Sequence, residues 1–357
     1  MQIIYDNIIF SLQKAGGISV YWIELIKRLS FKKKNSLFLE FKNNNIFRKE
    51  LVLDTIQEKK VSVKLSRYLP IMKRLPSKSV FHSSYYRTSL QKDIVKIITV
   101  YDFTYEYYTV GLAKYLHSWQ KNFAIKNADG IICISNSTKN DLFKFLPDLD
   151  KKKVKTIYIS ASEAFHELPK TDSLKFKEIM NKKVILYVGD RRSNYKNFKL
   201  AVNVVSKLKE YILVSVGGGK ISSDESIIIE GILKNRFFNY LDITSEELNI
   251  LYNQAFCLLY PSSYEGFGIP ILEAMQAGCP VICTNTSSIP EVAGDAAILV
   301  DGIENSLYLD AIRKLEQEDF RTLLIDKGFS QARKFTWKQC FDQTFEFYKD
   351  TYKRKFN

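Results

Sequence analysis

YPSSYEGFGIPILEAMQAGCPVICTNTSSIPEV, Tyr260–Val292, carries the most informative pattern of strand, loop and helix in the chain. The apolar run Phe256–Tyr260 reads as a buried strand ending at Tyr260-Pro261, and a polar loop follows. Pro270 suits the first position of a helix, Gly278 ends that helix, and Pro280 bars its continuation. Val281–Cys283 is then a further strand. Backbone N–H groups near Gly268 and Ile269 point from the helix N-terminus into the loop space, an anion site well suited to a diphosphate. Glu265 lies in the loop, and Glu273, eight residues on, in the first helical turn. A carboxylate accepts hydrogen bonds from two vicinal hydroxyls, so the pair suits a molecule whose hydroxyls flank a diphosphate, a nucleotide sugar. Taken alone, a glutamate in a first helical turn has the plainer role of stabilising the helix dipole.

Outward from this unit the same alternation recurs. In the second half, Val184–Val188 and Tyr211–Val216 read as strands and Asn197–Leu208 and Ser245–Ala255 as helices. Pro270–Ala277 is the helix of Tyr260–Val292, and Ala297–Val300 a last short strand. In the first half, Met1–Ile9, Lys78–His82, Val95–Val100 and Gly130–Ile134 read as strands. Ile18–Leu29, after a Gly16-Gly17 turn, and Leu112–Ala128 read as helices. A loop around Phe165–Asp172, with Pro169, separates the halves, and Phe335–Phe356 closes the chain as an aromatic-rich helix with a basic end. Short apolar strands alternating with helices predict parallel sheets covered on both faces, one in each half. Ligands of such sheets bind beyond the carboxyl ends of the strands, so two domains face to face would form a cleft.

A length of 357 residues is comfortable for two domains. No apolar run approaches a membrane span, and the first residues carry no basic leader for a secretory signal, which sets the expectation of a cytoplasmic protein. The five cysteines, Cys133, Cys257, Cys279, Cys283 and Cys340, sit among apolar neighbours without zinc-like spacing, and with three histidines no metal is expected. The net charge of +14 is unevenly spread: residues 1–170 hold 29 Lys and Arg against 15 Asp and Glu, residues 171–357 hold 24 of each. A basic half beside a neutral one points to an anionic partner on the first half, beyond the plain alternative of solvated lysines. The segment LSRYLPIMKRLPSK, Leu65–Lys78, mixes apolar and basic residues and suits either a lipid headgroup boundary or a loop broken by Pro70 and Pro76.

The Glu265–Glu273 spacing resembles the glutamate-x7-glutamate signature of family 4 retaining glycosyltransferases, of the "glycosyl transferases group 1" type. GGISVYW (Gly16–Trp22) resembles their glycine-rich loop, VFHSSYYR (Val80–Arg87) and TVYDFTYE (Thr99–Glu106) their acceptor-side strand ends, and ICISNSTKNDL (Ile132–Leu142) a loop and helix of the first domain. YVGDRRSNYKNF (Tyr187–Phe198) resembles the first strand and loop of the donor domain, and FTWKQCFDQTFEFYK the last helix. The resemblance implies the GT-B fold, two Rossmann-like domains across a cleft, with residues 1–168 binding acceptor, 169–335 binding the nucleotide sugar, and 336–357 crossing back to the first domain. It implies Glu265 beside the transferred sugar and Glu273 on the ribose hydroxyls. Gly16, Gly17, Gly266, Phe267, Gly268 and Ile269 lie against the donor, and Lys196 neutralises its diphosphate together with Arg191 or Arg192. Asp102 is carried over as a catalytic, acceptor-side contact, with a cap or turn residue as its plain alternative. His82 and Tyr101 are acceptor-side candidates, Tyr101 standing where many relatives carry histidine.

The function so implied is a retaining, metal-free hexosyltransfer from a nucleotide diphosphate sugar to a saccharide or lipid-diphosphate-linked acceptor. The setting is bacterial surface polysaccharide or lipopolysaccharide synthesis, at the inner face of the membrane. A GT-B epimerase or phosphorylase would share the diphosphate cradle. Gly217-Gly218-Gly219 after a strand lacks the G-x-G-x-x-G spacing of a dehydrogenase. No helix-turn-helix or RNP pattern supports a nucleic acid partner.

Overall fold

The computed structural model describes residues 1–32, 36–58, 62–169 and 174–357. The chain divides into two units, Met1–Ser160 with Thr336–Asn357, and Ala161–Phe335. The expected loop Phe165–Asp172 is described only as far as Pro169, and that part is irregular.

The first unit holds a seven-stranded sheet of β1 (Ile3–Asp6), β2 (Leu37–Glu40), β3 (Thr55–Gln57), β4 (Val80–Ser83), β5 (Val95–Val100), β6 (Gly130–Cys133) and β7 (Val154–Thr156). The order is β3-β2-β1-β4-β5-β6-β7, with every pairing parallel. Every residue of β1, β4 and β6 is buried, as a sheet covered on both faces requires. The closing helix Trp337–Phe356 is part of this unit. Thr336 caps it by accepting from Gln339 N, and Tyr348 on its buried face bonds His82 and Tyr5 in the sheet. Lys355 Nζ near its end reaches Asp129 Oδ2 at 2.7 Å, so the basic end noted in the sequence is anchored.

The second unit carries β8 (Lys183–Val188), β9 (Tyr211–Val216), β10 (Phe237–Tyr240), β11 (Ala255–Tyr260), β12 (Val281–Thr284) and β13 (Ile298–Val300), again all parallel, in the order β10-β9-β8-β11-β12-β13. The helix Phe198–Ser206 lies on this sheet through Leu200, Ala201, Val204 and Val205.

Both orders reverse direction once, between β1 and β4 and between β8 and β11. Loops leaving adjacent strands toward opposite sides of the sheet open a crevice at such a point. The sequence pattern does not mark β2, β3, β7 and β10. Three of these are edge strands, short or half-buried, and an edge strand needs no long apolar run. The expected strand Met1–Ile9 ends at Asp6, and Ile9–Leu12 is helical. A continuous apolar run does not distinguish the two states.

Candidate functional site

The loops after β8 and β11 flank the switch point of the second sheet, and they are tied to each other. Asn197, held in the left-handed region at φ 52°, donates from Nδ2 to Pro261 O and Ser263 Oγ, each at 2.7 Å. Ser263 N returns a bond to Tyr195 O at 2.7 Å. On this frame Lys196 Nζ meets Glu265 Oε1 at 2.6 Å, with both side chains mostly buried. An amine and a carboxylate so placed hold each other's position while leaving each a polar edge toward the loop space.

Glu265 is fixed from its other side by the loop after β12. Ser287 Oγ accepts from Glu265 N at 2.9 Å, and the fully buried Ser288 donates to Glu265 O at 2.8 Å and Phe267 O at 3.0 Å. Sequence reading passes over both serines, because hydroxyls that hold a loop resemble any polar loop residues. Phe267 turns its ring inward onto Phe335, the centroids 5.7 Å apart. Its side chain therefore anchors the loop. Gly268 caps the helix Ile269–Gln276 at φ 101°, a conformation that favours glycine, and no side chain caps that end. The first N–H groups of this helix are thus offered beside Glu265, with Gly266 and Ile269 partly exposed.

Glu273 is the fifth residue of this helix and stands in its second turn, not its first. Tyr252 donates to its Oε2 at 2.9 Å. Burial raises the carboxyl from 4.5 to about 7, against a lowering by that hydrogen bond. The dipole-stabilising role is weak one turn in, and the carboxyl is a poised acceptor near neutral pH.

The two arginines part company. Arg191, its side chain fully buried, bonds Glu225 Oε1 at 3.0 Å, Asn239 Oδ1 at 2.8 Å, Gly219 O at 3.0 Å and Gly217 O. Arg192 is exposed and pairs with Asp190 at 2.9 Å. Arg191 thus holds the glycine turn after β9 against the loop after β8. An added Cβ at Gly217 would meet Gly189 O at 2.8 Å, and one at Gly218 would meet Arg191 N at 2.8 Å. Gly217 and Gly218 are required by this backbone-on-backbone approach, and Gly219 by its left-handed backbone at φ 70°.

In the first unit Gly17 opens the helix Gly17–Lys32, and Ser19 Oγ donates to Gly16 O at 2.8 Å. A Cβ at Gly16 would meet only the end of the flexible Gln13 side chain. Asp102 follows β5 and its Oδ1 accepts from Thr104 N at 2.9 Å, so it caps the turn into Thr104–Tyr108. His82 is fully buried; its Nδ1 bonds Tyr348 Oη and its Nε2 bonds Thr99 Oγ1, and burial lowers its pKa to about 3. Tyr101 likewise turns inward, donating to Ser84 O at 3.0 Å. A pair the sequence reading omits stands at the switch point instead. Arg87 meets the buried Asp6 at 3.1 Å and Glu58 at 3.0 Å, and burial raises the Asp6 carboxyl.

All five cysteines are buried free thiols. Among the described residues no three His, Cys, Asp or Glu are grouped to hold a metal ion, and no helix is long and apolar enough to cross a membrane.

The site residues of the second unit lie within residues 170–330, which match the family model "Glycosyl transferases group 1". O-antigen chain mannosyltransferase B of Escherichia coli is 40% identical over 115 residues, 32% of this chain and 30% of that protein. O-antigen chain mannosyltransferase RfbU of Salmonella typhimurium is 27% identical over 221 residues, 62% of this chain and 60% of that one. The matches therefore span less than two thirds of these relatives' own lengths. The Anabaena Alr3699/HepE structure in complex with UDP-glucose has a TM-score of 0.74 at 13% identity, covering 97% of this chain and 98% of that one, a likeness of fold. Residues 170–330 of this chain are thus similar to the glycosyl transferases group 1 family, and the fold of the chain is GT-B.

Proposed function

We propose that the protein is a retaining glycosyltransferase of the GT4 family that moves a hexose from a nucleotide diphosphate to a saccharide or lipid-linked acceptor in O-antigen or related surface polysaccharide synthesis. Mannose is the sugar favoured by the names of the relatives. The observation that carries the reading is the Lys196–Glu265 pair at 2.6 Å beside the uncapped N-terminus of Ile269–Gln276.

In this reading the second unit binds the donor. Lys196, the exposed Arg192 and the helix N–H groups near Gly268 take the diphosphate, and Glu273 accepts from the ribose hydroxyls. As the bond from the anomeric carbon to the diphosphate oxygen breaks, negative charge grows on the leaving phosphate, where the Lys196 cation and helix N-terminus act most strongly. The acceptor hydroxyl oxygen bonds the same face of the anomeric carbon and passes its proton to the leaving phosphate. Glu265 lies beside the sugar and holds Lys196 in place. The first unit is assigned the acceptor, with Asp102 as its contact and Gly16-Gly17 as a close backbone approach to phosphate. No step is assigned to a metal. The enzyme works at the inner face of the cell membrane.

A thermal-shift panel of UDP-, GDP-, ADP- and dTDP-sugars, with mannose among the sugars, tests the reading. A selective rise for one nucleotide sugar, followed by transfer to an acceptor and not by epimerisation of donor alone, is the expected result. No rise with any donor in folded protein removes it.

A further inference from the structure

The helix Leu112–Lys126 is inverted: His117, Gln120 and Lys121 are buried on it, while Leu112, Leu116 and Trp119 are exposed. Lys121 is fully engaged, its Nζ meeting Glu106 Oε2 at 2.6 Å and Asp102 O at 3.2 Å. His117 and Gln120 are paired on one side only. His117 Nε2 lies 2.9 Å from Tyr85 Oη, and Gln120 Nε2 donates to Arg67 O and Tyr86 O. His117 Nδ1 and Gln120 Oε1 are buried without a hydrogen-bond partner among the described residues, although the two residues are only 5% and 3% exposed. Arg67 Nε is a third such atom, on a guanidinium whose Nη2 donates to the same Tyr85 Oη at 3.4 Å. A buried polar atom without a partner is costly, and three of them on residues bonded to one another mark a place for a ligand.

The chemistry of the three atoms selects the ligand. Burial lowers the His117 pKa to about 4, so the ring is neutral and carries one proton. Tyr85 Oη accepts from Arg67 and gives its own proton to His117 Nε2, which leaves the imidazole proton on Nδ1. Arg67 Nε and His117 Nδ1 are therefore donors, and Gln120 Oε1 is an acceptor. Hydroxyl groups both donate and accept, so they complete all three, whereas an anion completes only the donors. The charges agree: Arg67 and Lys121 stand against Asp102 and Glu106, which leaves no net charge to hold an anion. Aromatic rings with a few fixed polar groups are the usual lining of a small-molecule site. Here Tyr86 meets the His117 ring edge-on at 5.6 Å, and Arg67 lies over the Tyr68 and Tyr85 rings at 4.9 and 5.1 Å.

We infer that Arg67 Nε, His117 Nδ1 and Gln120 Oε1 hold the hydroxyls of a neutral pyranose, the acceptor's own saccharide beside Asp102, and that this sugar takes the place over His117 now filled by the Tyr105 ring. Tyr105 stacks on the imidazole with centroids 3.9 Å apart and planes 15° from parallel. It is 36% exposed, and its hydroxyl makes no hydrogen bond among the described residues. The short helix Thr104–Tyr108 that carries it is held at Glu106 instead, by Lys121 and by Ser118 Oγ at 2.7 Å. A turn of the Tyr105 side chain alone thus uncovers the ring, with the helix in place. The inference rests on the assignment of the acceptor to the first unit and names the class of sugar and the residues that select it.

The test is binding of α-mannobiose to the full chain without donor, followed by saturation-transfer NMR, with inorganic phosphate as an anionic competitor. Wild type is expected to bind the neutral sugar and to keep it in the presence of phosphate. Arg67→Lys keeps the cation and removes the Nε donor, and His117→Phe keeps the ring stack and removes Nδ1. Each should weaken binding about fivefold. Tyr105→Ala should tighten it about fivefold, because the competing stack is gone, a gain that a purely structural Tyr105 would not produce. In a transfer assay Arg67→Lys should raise the acceptor KM and leave kcat unchanged. Should His117→Phe fail to fold, the other two variants decide. Donor-induced thermal shift is read on the same samples. Sugar binding without a donor shift supports this site and counts against the transferase reading, whereas a donor shift with no sugar bound overturns this inference alone. Variants that bind like wild type, weaker binding by Tyr105→Ala, or displacement of the sugar by phosphate would each overturn it as well.

Discussion

Replacing Glu273 by glutamine should make the second unit more stable at pH 8 while leaving it unchanged at pH 4. The carboxyl loses hydration in the fold, which raises it from 4.5 to about 7. A raised acid binds its proton more tightly in the folded state. The stability this gives is fully present below the unfolded value near 4.5, and it is lost as pH rises to about 7. The span of about 2.5 pH units at ~1.4 kcal/mol per unit sets an upper bound of about 3 kcal/mol, since part of the residue reaches solvent. Glutamine has the shape of the protonated acid and keeps an oxygen for Tyr252, so it removes the titration without removing the hydrogen bond. Trp22, Trp119 and Trp337 all lie in the first unit, so tryptophan fluorescence is the wrong probe. Hydrogen exchange of the amides of β11 and Ile269–Gln276 reads the opening free energy of the second unit directly. Under the proposed function the same carboxyl must be ionised to accept ribose hydroxyls. Donor affinity of the wild type should then rise about tenfold per unit of pH below 7 and level off above it, while Glu273→Gln binds weakly and without this dependence. Opening free energies that run parallel with pH in the two proteins would refute the desolvation argument, whatever the donor does.

Glu265→Gln and Lys196→Gln each break the 2.6 Å ion pair, and each is expected to lower kcat by about 10²–10³-fold in a donor-turnover assay with the second unit still folded. Arg192→Gln should raise the donor KM, because Arg192 is the exposed cation. Arg191→Lys should instead destabilise the glycine turn after β9 by about 2 kcal/mol, visible as faster exchange at Gly217–Gly219, because lysine cannot satisfy four acceptors in fork geometry. His82→Phe should cost about 2 kcal/mol at pH 8, because the Tyr348 and Thr99 hydroxyls each lose one buried partner and keep only Tyr5 and Tyr21. The lowered His82 pKa gives stability present above 6.5 and lost as pH falls toward 3, so by urea unfolding the variant should reach parity with wild type near about pH 5.

The alternation of strands and helices, the parallel sheets, and the loop-to-helix entry at Glu265–Pro270 are all legible in the amino-acid order alone. These rest on local signals: apolar runs, a glycine that permits φ above zero, a proline that starts or stops a helix. The pairing of Lys196 with Glu265 spans 69 residues and depends on β8 and β11 being neighbours in the sheet. Only the tertiary structure decided which of Arg191 and Arg192 is buried, because adjacent residues carry the same local signal and burial is fixed by β9 and β10 beside them. It likewise turned His82 and Tyr101 into the core, where the Tyr348 and Thr99 hydroxyls fill the polar atoms of His82 and the Ser84 carbonyl accepts from Tyr101. The inverted face of Leu112–Lys126 follows from the same cause. An amphipathic pattern names two faces, and which of them turns inward depends on the partners that the rest of the fold supplies.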